Sequence, residues 1–505
     1  MNTMFKRISA LLIAFLMILS AVSCGDNSAD ANGDSADTKK SETGDTTLEE
    51  VTTADPFADV DYGGREFRIS TSINTNDSTN ANHLIAGSGE LTGEAVNDAV
   101  FTRNQTVEEL LGVKLVFTET NYDYGNVAAN LRNIIMAGDD AFDVIINDLF
   151  PFCDLTFEGM FLNVNDNAIM DFEQKHWYKG YMDNLKLTGD RTYLLAGDFF
   201  MDIISSAHAL FYNKDLFNNL YGNPDIIYDH VIKGDWTIET MTSYINSLYN
   251  DLNGDSAVNE TDQFGYACIG MWGSMIPFVI GADINFMTRA ADGTIEGFNY
   301  NNERSVNLLE RMIALFYSEG SITSIATWSA QGLIDLFANG NVAFVGYQRL
   351  GSLEKMRDIP FEIGVVPYPK YDENQKNYVT SSHDTTEIGA IPMTCGDLDY
   401  VSTVLEVLNR ETGRIVIPQY YENALKMKYT RDQISAQMID IIHDNFGSTF
   451  PIGYGNALNG VLLSSSFSTP LTNKNADFAS NYAKMEKSLN KAWEKKFTQF
   501  IENAY

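Results

Sequence analysis

The sequence predicts an α/β fold with mainly parallel sheet, and three observations carry that expectation. From Arg65 onward, strand-favouring and helix-favouring runs alternate about every thirty residues, the rhythm of strand–helix–strand units. The chain has 505 residues; setting aside a leader and a polar stretch leaves roughly 450, two or three domains by length. It is 44% hydrophobic and 12% aromatic, which supplies ample apolar side chain for cores of that size.

The front of the chain reads as a leader. Lys6 and Arg7 precede an uninterrupted apolar run from Ala10 to Leu19, followed by Ser20-Ala21-Val22-Ser23-Cys24. That run is too short to span a bilayer, so residues 1–23 read as a secretory signal. Small residues before a cysteine match the bacterial lipobox, which predicts cleavage before Cys24 and lipidation there; an ordinary signal peptide cut nearby is the alternative. Acyl chains contribute roughly 0.8 kcal/mol per buried CH₂, so a multiply acylated cysteine stays on a membrane. Residues 24–55 are mostly Asp, Ser, Thr, Gly, Glu and Ala with no aromatic, a composition expected to form a disordered tether.

The body then unfolds in order. Arg65–Ser70 is the first predicted strand, leading to an Asn- and Thr-rich loop at residues 74–82. A helix follows from about Gly93, with Ala99, Val107, Leu110 and Leu111 on its apolar side. Lys114–Thr118 is a second strand, Val127–Met136 a helix and Phe142–Ile146 a third strand. Ligands of open α/β sheets sit beyond the carboxyl ends of strands, which points to the Asn74 loop and to Asn147-Asp148-Leu149. Arg191–Asp198 reads as a strand pair. Ala209–Tyr212 is a further strand, closed by Asn213-Lys214-Asp215. Thr237 is the expected N-cap of a helix whose Ile238, Met241, Ile245 and Leu248 recur at three- and four-residue steps.

After that helix comes the sharpest local motif. Counting Asp251 as position 1, oxygen side chains fall at Asn253, Asp255, Asn259 and Asp262, with the Ala257 carbonyl at position 7. This is the ligand order of a twelve-residue calcium loop. Ser256 replaces the usual turn glycine, and Asp262 is shorter than the usual glutamate. A solvated Asx-rich turn is the alternative reading. A calcium ion here would brace the structure rather than touch a ligand.

Charge and cysteine content exclude several functions. The formal charge is −34, and losing Lys6 and Arg7 takes it to −36. Such a surface repels nucleic acid and anionic lipid, so neither is an expected partner. Cys153, Cys268 and Cys395 are far apart without a C-x-x-C pair, so no zinc or thioredoxin-like site is signalled. Isolated buried thiols are expected, although two of the three could pair.

The order of these features resembles the extracellular solute-binding proteins of ABC importers, the carbohydrate-binding group known as family 1. The resemblance rests on Phe211–Phe217, Trp236–Glu239 and the acidic loop, and on Gly138–Val144, Phe337–Phe344 and Val366–Glu373. It covers nearly all of the chain after the leader. It implies a two-lobe periplasmic-binding-protein-like (type II) fold with hinge-connected α/β lobes. Residues 56–204 with about 384–435 would form one lobe, and 205–383 with about 436–505 the other. The C-terminal helices, including the run from Ala476 to Asn503, are expected to pack on the second lobe.

The function implied is capture of a carbohydrate, an oligosaccharide by preference, in a cleft between lobes, with delivery to the transmembrane subunits of an ABC permease. A monomer, lipid-anchored outside the cytoplasm, is expected. Sugar recognition needs flat aromatic faces and matched polar partners, because an unpaired buried polar group costs about 1–3 kcal/mol. Trp272, in what reads as a loop between Gly270 and Gly273, is the first cleft candidate. Tyr347, Gln348 and Arg349 follow the strand Val342–Val345; Asp148 and Asp198 end strands; and His383, beside Asp384, lies at the return crossing. Core packing, capping or turn roles remain open for each. Trp236 and Trp493 are expected in cores, while Trp177 and Trp328 are open. A peptide or other small solute as cargo, a glycan-binding surface protein without a transporter, and a secreted hydrolase are the other readings. The last has no H-E-x-x-H, P-loop, G-x-S-x-G or G-x-G-x-x-G to support it.

Overall fold

Two five-stranded sheets organise the protein. A computed structural model describes residues 55–72, 82–120, 125–165, 167–256, 258–324, 329–420 and 433–504. In chain order the strands are β1 (Arg65–Ser72), β2 (Val113–Thr120), β3 (Val144–Asp148), β4 (Leu194–Leu195), β5 (Leu210–Asn213), β6 (Phe264–Ile269), β7 (Met287–Arg289), β8 (Ile295–Phe298), β9 (Ser321–Ser324), β10 (Val342–Val345), β11 (Ile363–Val366) and β12 (Glu387–Ala390). The first sheet has the order β2-β1-β3-β12-β4, the second β11-β5-β10-β6-β9, and β7 and β8 form a hairpin.

Each sheet has one reversed strand. In the first, β12 runs antiparallel to both β3 and β4. In the second, β5 runs antiparallel to both β10 and β11. These two strands begin immediately after the chain has crossed from the other sheet. A chain arriving across the gap meets the carboxyl edge of the sheet first, so it must run against the rest. The carboxyl edges of both sheets therefore face the crossing segments, the position where α/β sheets place their ligands.

Local chemistry explains the elements that frame this arrangement. In the helix Ala95–Leu111, the buried Ala99, Val107 and Leu111 lie along one stripe, and Gly112 ends it with a left-handed φ of 58°; glycine takes that conformation without penalty. The Thr237 side chain accepts the Thr240 backbone N–H at 3.2 Å and starts the helix Ile238–Ser247. Its apolar positions Ile238, Met241 and Ile245, with Leu248 just beyond, are all buried.

Three expectations need amendment. The strand pair over Arg191–Asp198 reduces to the two residues of β4, because the flanking backbone bonds to loops at residues 164 and 176–178 rather than to a ladder. Trp272 is not in a loop: Gly270 caps the helix Met271–Gly281, and Trp272 stands in its first turn. The C-terminal helix Phe478–Ala504 touches the second-sheet helix Glu303–Phe316, but it also packs on the first-sheet helix Leu149–Phe157. At about 1.5 Å per residue it is roughly 40 Å long, enough to reach both. Trp236 and Trp493 are buried as expected, and so is Trp177. Trp328 and Cys24 lie outside the described residues. Among those residues, Cys153, Cys268 and Cys395 are all free thiols.

Candidate functional site

Two crossing segments and the stretch that follows β10 form a small antiparallel ribbon between the sheets. His208 N donates to Ser381 O at 2.8 Å and His383 N to Ser206 O at 3.0 Å. On the other side, Leu350 N donates to Ala207 O at 2.9 Å and Ala209 N to Gln348 O at 3.3 Å. The segment around Ser206–Ala209 is thus the central strand, flanked by residues 348–350 and 381–383.

Several side chains predicted from the sequence meet at this ribbon. The Trp272 indole Nε1 donates to Asp384 Oδ2 at 2.8 Å. His383 Nδ1 lies 2.9 Å from Asp384 Oδ1 and 2.9 Å from Thr385 Oγ1. The Tyr347 and His383 rings meet edge to face at 6.1 Å, and the His383 and His208 rings are 5.7 Å apart. Tyr347 holds a left-handed φ of 62°, unusual for a residue with a large side chain. Its ring lies against Gly273, where an added Cβ would come within 2.1 Å of Tyr347 Cε2. Trp272 and Tyr347 are both partly exposed, so each offers ring surface near the ribbon.

The first sheet contributes carboxylates. Asp148 ends β3 and pairs in register with Glu387, the first residue of β12. The Ser72 hydroxyl, at the end of β1, donates to Glu387 Oε1. Glu387 N donates to Asp202 Oδ2 at 2.8 Å, and the Ser205 and Ser206 hydroxyls donate to the same Asp202 carboxylate. Burial pushes the Asp202 pKa up, partly offset by those donors and by the positive charge of Arg349. For Asp384, burial acts upward but is outweighed by His383, Trp272 and Arg349, which hold it well below the usual carboxylate range. Burial, with His383 and Arg349 nearby, drives the His208 pKa well down.

Asp198 stands apart from this group. Its carboxylate accepts the Tyr178 hydroxyl at 2.9 Å and lies against Gly413. Burial raises its pKa to about 7, with Tyr178 and His176 acting in the opposite direction. The sequence reading did not single out Asp202, Glu387, Ser72 or His208. Only the antiparallel entry of β12 brings Glu387 beside Asp148, and no local pattern encodes that. The Asn74 loop lies outside the described residues except for Asn82. Ser381 Oγ is 2.8 Å from His208 Nδ1, but both residues are buried, and His208 Nε2 has no partner among the described residues. This is not the arrangement of an activated nucleophile.

The acidic loop lies elsewhere. Asp251 accepts the backbone N–H groups of Gly254 at 2.7 Å and Ser256 at 2.8 Å. Ser256 takes a left-handed φ of 58°, the conformation a glycine would otherwise supply. Asp262 is buried; one of its oxygens accepts the Asn259 N–H at 3.1 Å, and the other has no partner among the described residues. Ala257 is outside those residues. Among them, no group of three or more His, Cys, Asp or Glu side chains is placed to hold a metal. A cavity of about 700 Å³ opens beside the loop, lined by residues 258–261, 316–318 and 321–323.

The fold is similar to that of solved solute-binding proteins. A cyclo/maltodextrin-binding protein complexed with maltotetraose is 12% identical, with a TM-score of 0.53 over 89% of this chain and 98% of that one. The cyclic α-maltosyl-1,6-maltose binding protein of Arthrobacter globiformis is 15% identical, TM-score 0.54, over 86% and 100%. UgpB of Mycobacterium tuberculosis, bound to glycerophosphocholine, is 14% identical, TM-score 0.53, over 86% and 99%. No protein-family model matches the chain, and no curated protein sequence does.

Proposed function

We propose that this protein is the solute-binding component of an ABC importer that captures a carbohydrate between its lobes and passes it unchanged to a permease. One observation carries the reading: the carboxyl edges of both sheets converge on the ribbon where Trp272, Tyr347 and His383 lie close to Asp384. Partly exposed aromatic rings cover the C–H faces of a sugar, and the carboxylates nearby accept its hydroxyls. The fold likeness to oligosaccharide-binding proteins supports the same cargo class. A ligand touching both lobes binds their closed arrangement better, and that difference in affinity is what shifts the population toward closure.

The reading extends to the cell surface. The leader pattern ending in Cys24 supports lipid anchoring outside the cytoplasm, and no helix among the described residues is long and apolar enough to cross a membrane. It extends also to a structural calcium ion in the loop Asp251–Asp262, supported by the left-handed Ser256 and the buried oxygen of Asp262. In that role Asp251, Asn253, Asp255, Asn259 and Asp262, with the Ala257 carbonyl, would hold the ion.

A thermal-shift panel of oligosaccharides, monosaccharides and peptides tests the cargo. A ligand at 100 times its dissociation constant adds about 2.7 kcal/mol, and an oligosaccharide is expected to give the largest shift. A panel in which only peptides stabilise the protein would refute the carbohydrate reading. Release of reducing ends from any glycan would refute the non-catalytic one.

A further inference from the structure

The helix Phe478–Ala504 carries a charge pattern opposite in sign to that of the chain. Acidic residues outnumber lysine and arginine by 68 to 34 overall, yet residues 484–496 hold five lysines and two glutamates. One side of the helix is core: Phe478, Tyr482, Leu489, Trp493 and Phe500 are buried. At about 100° per residue these five fall on one stripe about 60° wide. Lys484, Lys487, Lys491 and Lys495 fall on the far side, in a band about 80° wide centred roughly 190° from that stripe. All four are exposed. Lys496 turns inward and pairs with Asp154 at 2.6 Å, but none of the other four has a carboxylate within ion-pair distance among the described residues.

The glutamates of the helix stand aside from this row. Glu486 falls beside the buried stripe, Glu494 at the edge of the lysine band, and Glu502 about 10 Å beyond Lys495. A merely solvated face interleaves the two signs, because Glu–Lys pairs three or four residues apart stabilise a helix and like pairs destabilise it. Here the steps from Lys484 to Lys487, Lys491 and Lys495 set like charges at those spacings three times in succession. An anionic surface laid against the row relieves that repulsion.

The shape of the row selects the kind of surface. It is straight and about 16 Å long, so a compact anion reaches two of its members while a flat anionic plane reaches all four. Lysine ammoniums are point charges on flexible stems and meet phosphates without a fixed geometry. The expectation drawn from net charge, that anionic lipid is not a partner, concerns the surface as a whole. Charges are screened beyond about 8 Å at physiological ionic strength, so a plane lying on the row meets the lysines and feels the rest of the acidic surface weakly. The flat surface at hand is the membrane to which Cys24 is expected to hold the chain. An acyl anchor fixes distance and not orientation, and an anchor joined to a basic patch is the stable combination. We propose that Lys484, Lys487, Lys491 and Lys495 dock on the anionic headgroups of that membrane and set which side of the tethered body faces it. The choice of partner rests on the anchoring reading and not on the cargo.

The test uses the chain from residue 24 onward with Cys24→Ser, so that no acyl group contributes. Co-sedimentation is measured at about 0.15 M salt with vesicles of phosphatidylcholine alone or mixed equally with phosphatidylglycerol. Binding is expected only to the mixed vesicles. Each lysine at the surface is worth about fivefold in affinity, so changing all four to Gln should weaken binding by about 10²–10³-fold. Gln at Lys114, Lys175, Lys233 and Lys376, exposed lysines elsewhere, makes the same change in net charge and should leave binding within about threefold. Lys and Gln have similar helix preference, so both variants should melt with the parent. Equal losses in the two variants, or no binding of the parent to the mixed vesicles, overturns the proposal. So does binding through the row to soluble polyphosphate but not to vesicles, which would assign it to a free polyanion. The anchor is read separately, from the mass of the membrane-extracted protein: an unacylated Cys24 would sink the anchoring reading without altering the vesicle result.

Discussion

The contact between Gly273 and Tyr347 makes a sharp quantitative prediction. In Gly273→Ala, the new Cβ would lie 2.1 Å from Tyr347 Cε2 and 2.6 Å from Cδ2, so the ring must move. Tyr347 holds its ring there through a left-handed backbone and cannot simply tilt away with its main chain. Overpacking of this kind costs about 1–3 kcal/mol. Against it stands the helix preference of alanine over glycine, about 1 kcal/mol, since Gly273 lies inside the helix Met271–Gly281. The single variant should therefore lose about 0–2 kcal/mol. In a Tyr347→Ala background the clash is gone, and Gly273→Ala should stabilise by about 1 kcal/mol. Urea unfolding of the four proteins gives the coupling energy, expected at about 1–3 kcal/mol. A coupling under about 0.5 kcal/mol would refute the packing described for this pair. The same substitution should weaken carbohydrate binding, because it displaces one of the two rings offered near the ribbon.

Three other outcomes follow from the same geometry. Trp272→Ala should weaken carbohydrate binding roughly 10–100-fold, about 1.4–2.8 kcal/mol, with partial recovery in Trp272→Phe, read by titration calorimetry. Asp198 has its folded pKa raised to about 7 by burial, so its protonated form is the one the fold prefers. Its stabilising effect is complete below the unfolded value near 4 and is lost as pH rises through about 7. Asp198→Asn keeps an acceptor for Tyr178 without the charge, so it should be more stable than the parent by up to about 4 kcal/mol above pH 8, and equal to it below pH 4 in thermal melts. Chelation should lower the melting temperature of the parent and leave Asp262→Asn unmoved; equal melting curves with and without chelator would remove the calcium ion from the account.

Much of the frame was legible because it is written in short-range pattern. Thr237 and the stripe Ile238–Leu248 announce a capped amphipathic helix, and β1, β2 and β3 fall where apolar runs are bounded by turn residues. Trp272 reads as a cleft residue in a loop, since glycines on both sides suggest one. In fact Gly270 is a helix start, and Gly273 is small because Tyr347 presses on it. That requirement lies 74 residues away in the chain and leaves no local trace. The reversed directions of β5 and β12 are likewise set by the crossing chain, and they alone bring Glu387 beside Asp148 and Asp202. Asp198 reads as a strand end, but its burial against Tyr178 and Gly413 depends on the helix Leu398–Glu411 and the π-helical segment Thr412–Val416 that continues it. The straddling position of the C-terminal helix was also hidden: its amphipathic stripe shows that it packs, not on what.

Hydrogen exchange with and without a saturating oligosaccharide tests the central claim most directly. Slowed exchange is expected at Gly270–Gly273, Gly346–Arg349 and Ser382–Glu387 together, on both sides of the ribbon. Slowing confined to one sheet, or centred on the cavity beside the acidic loop, would contradict capture between two lobes.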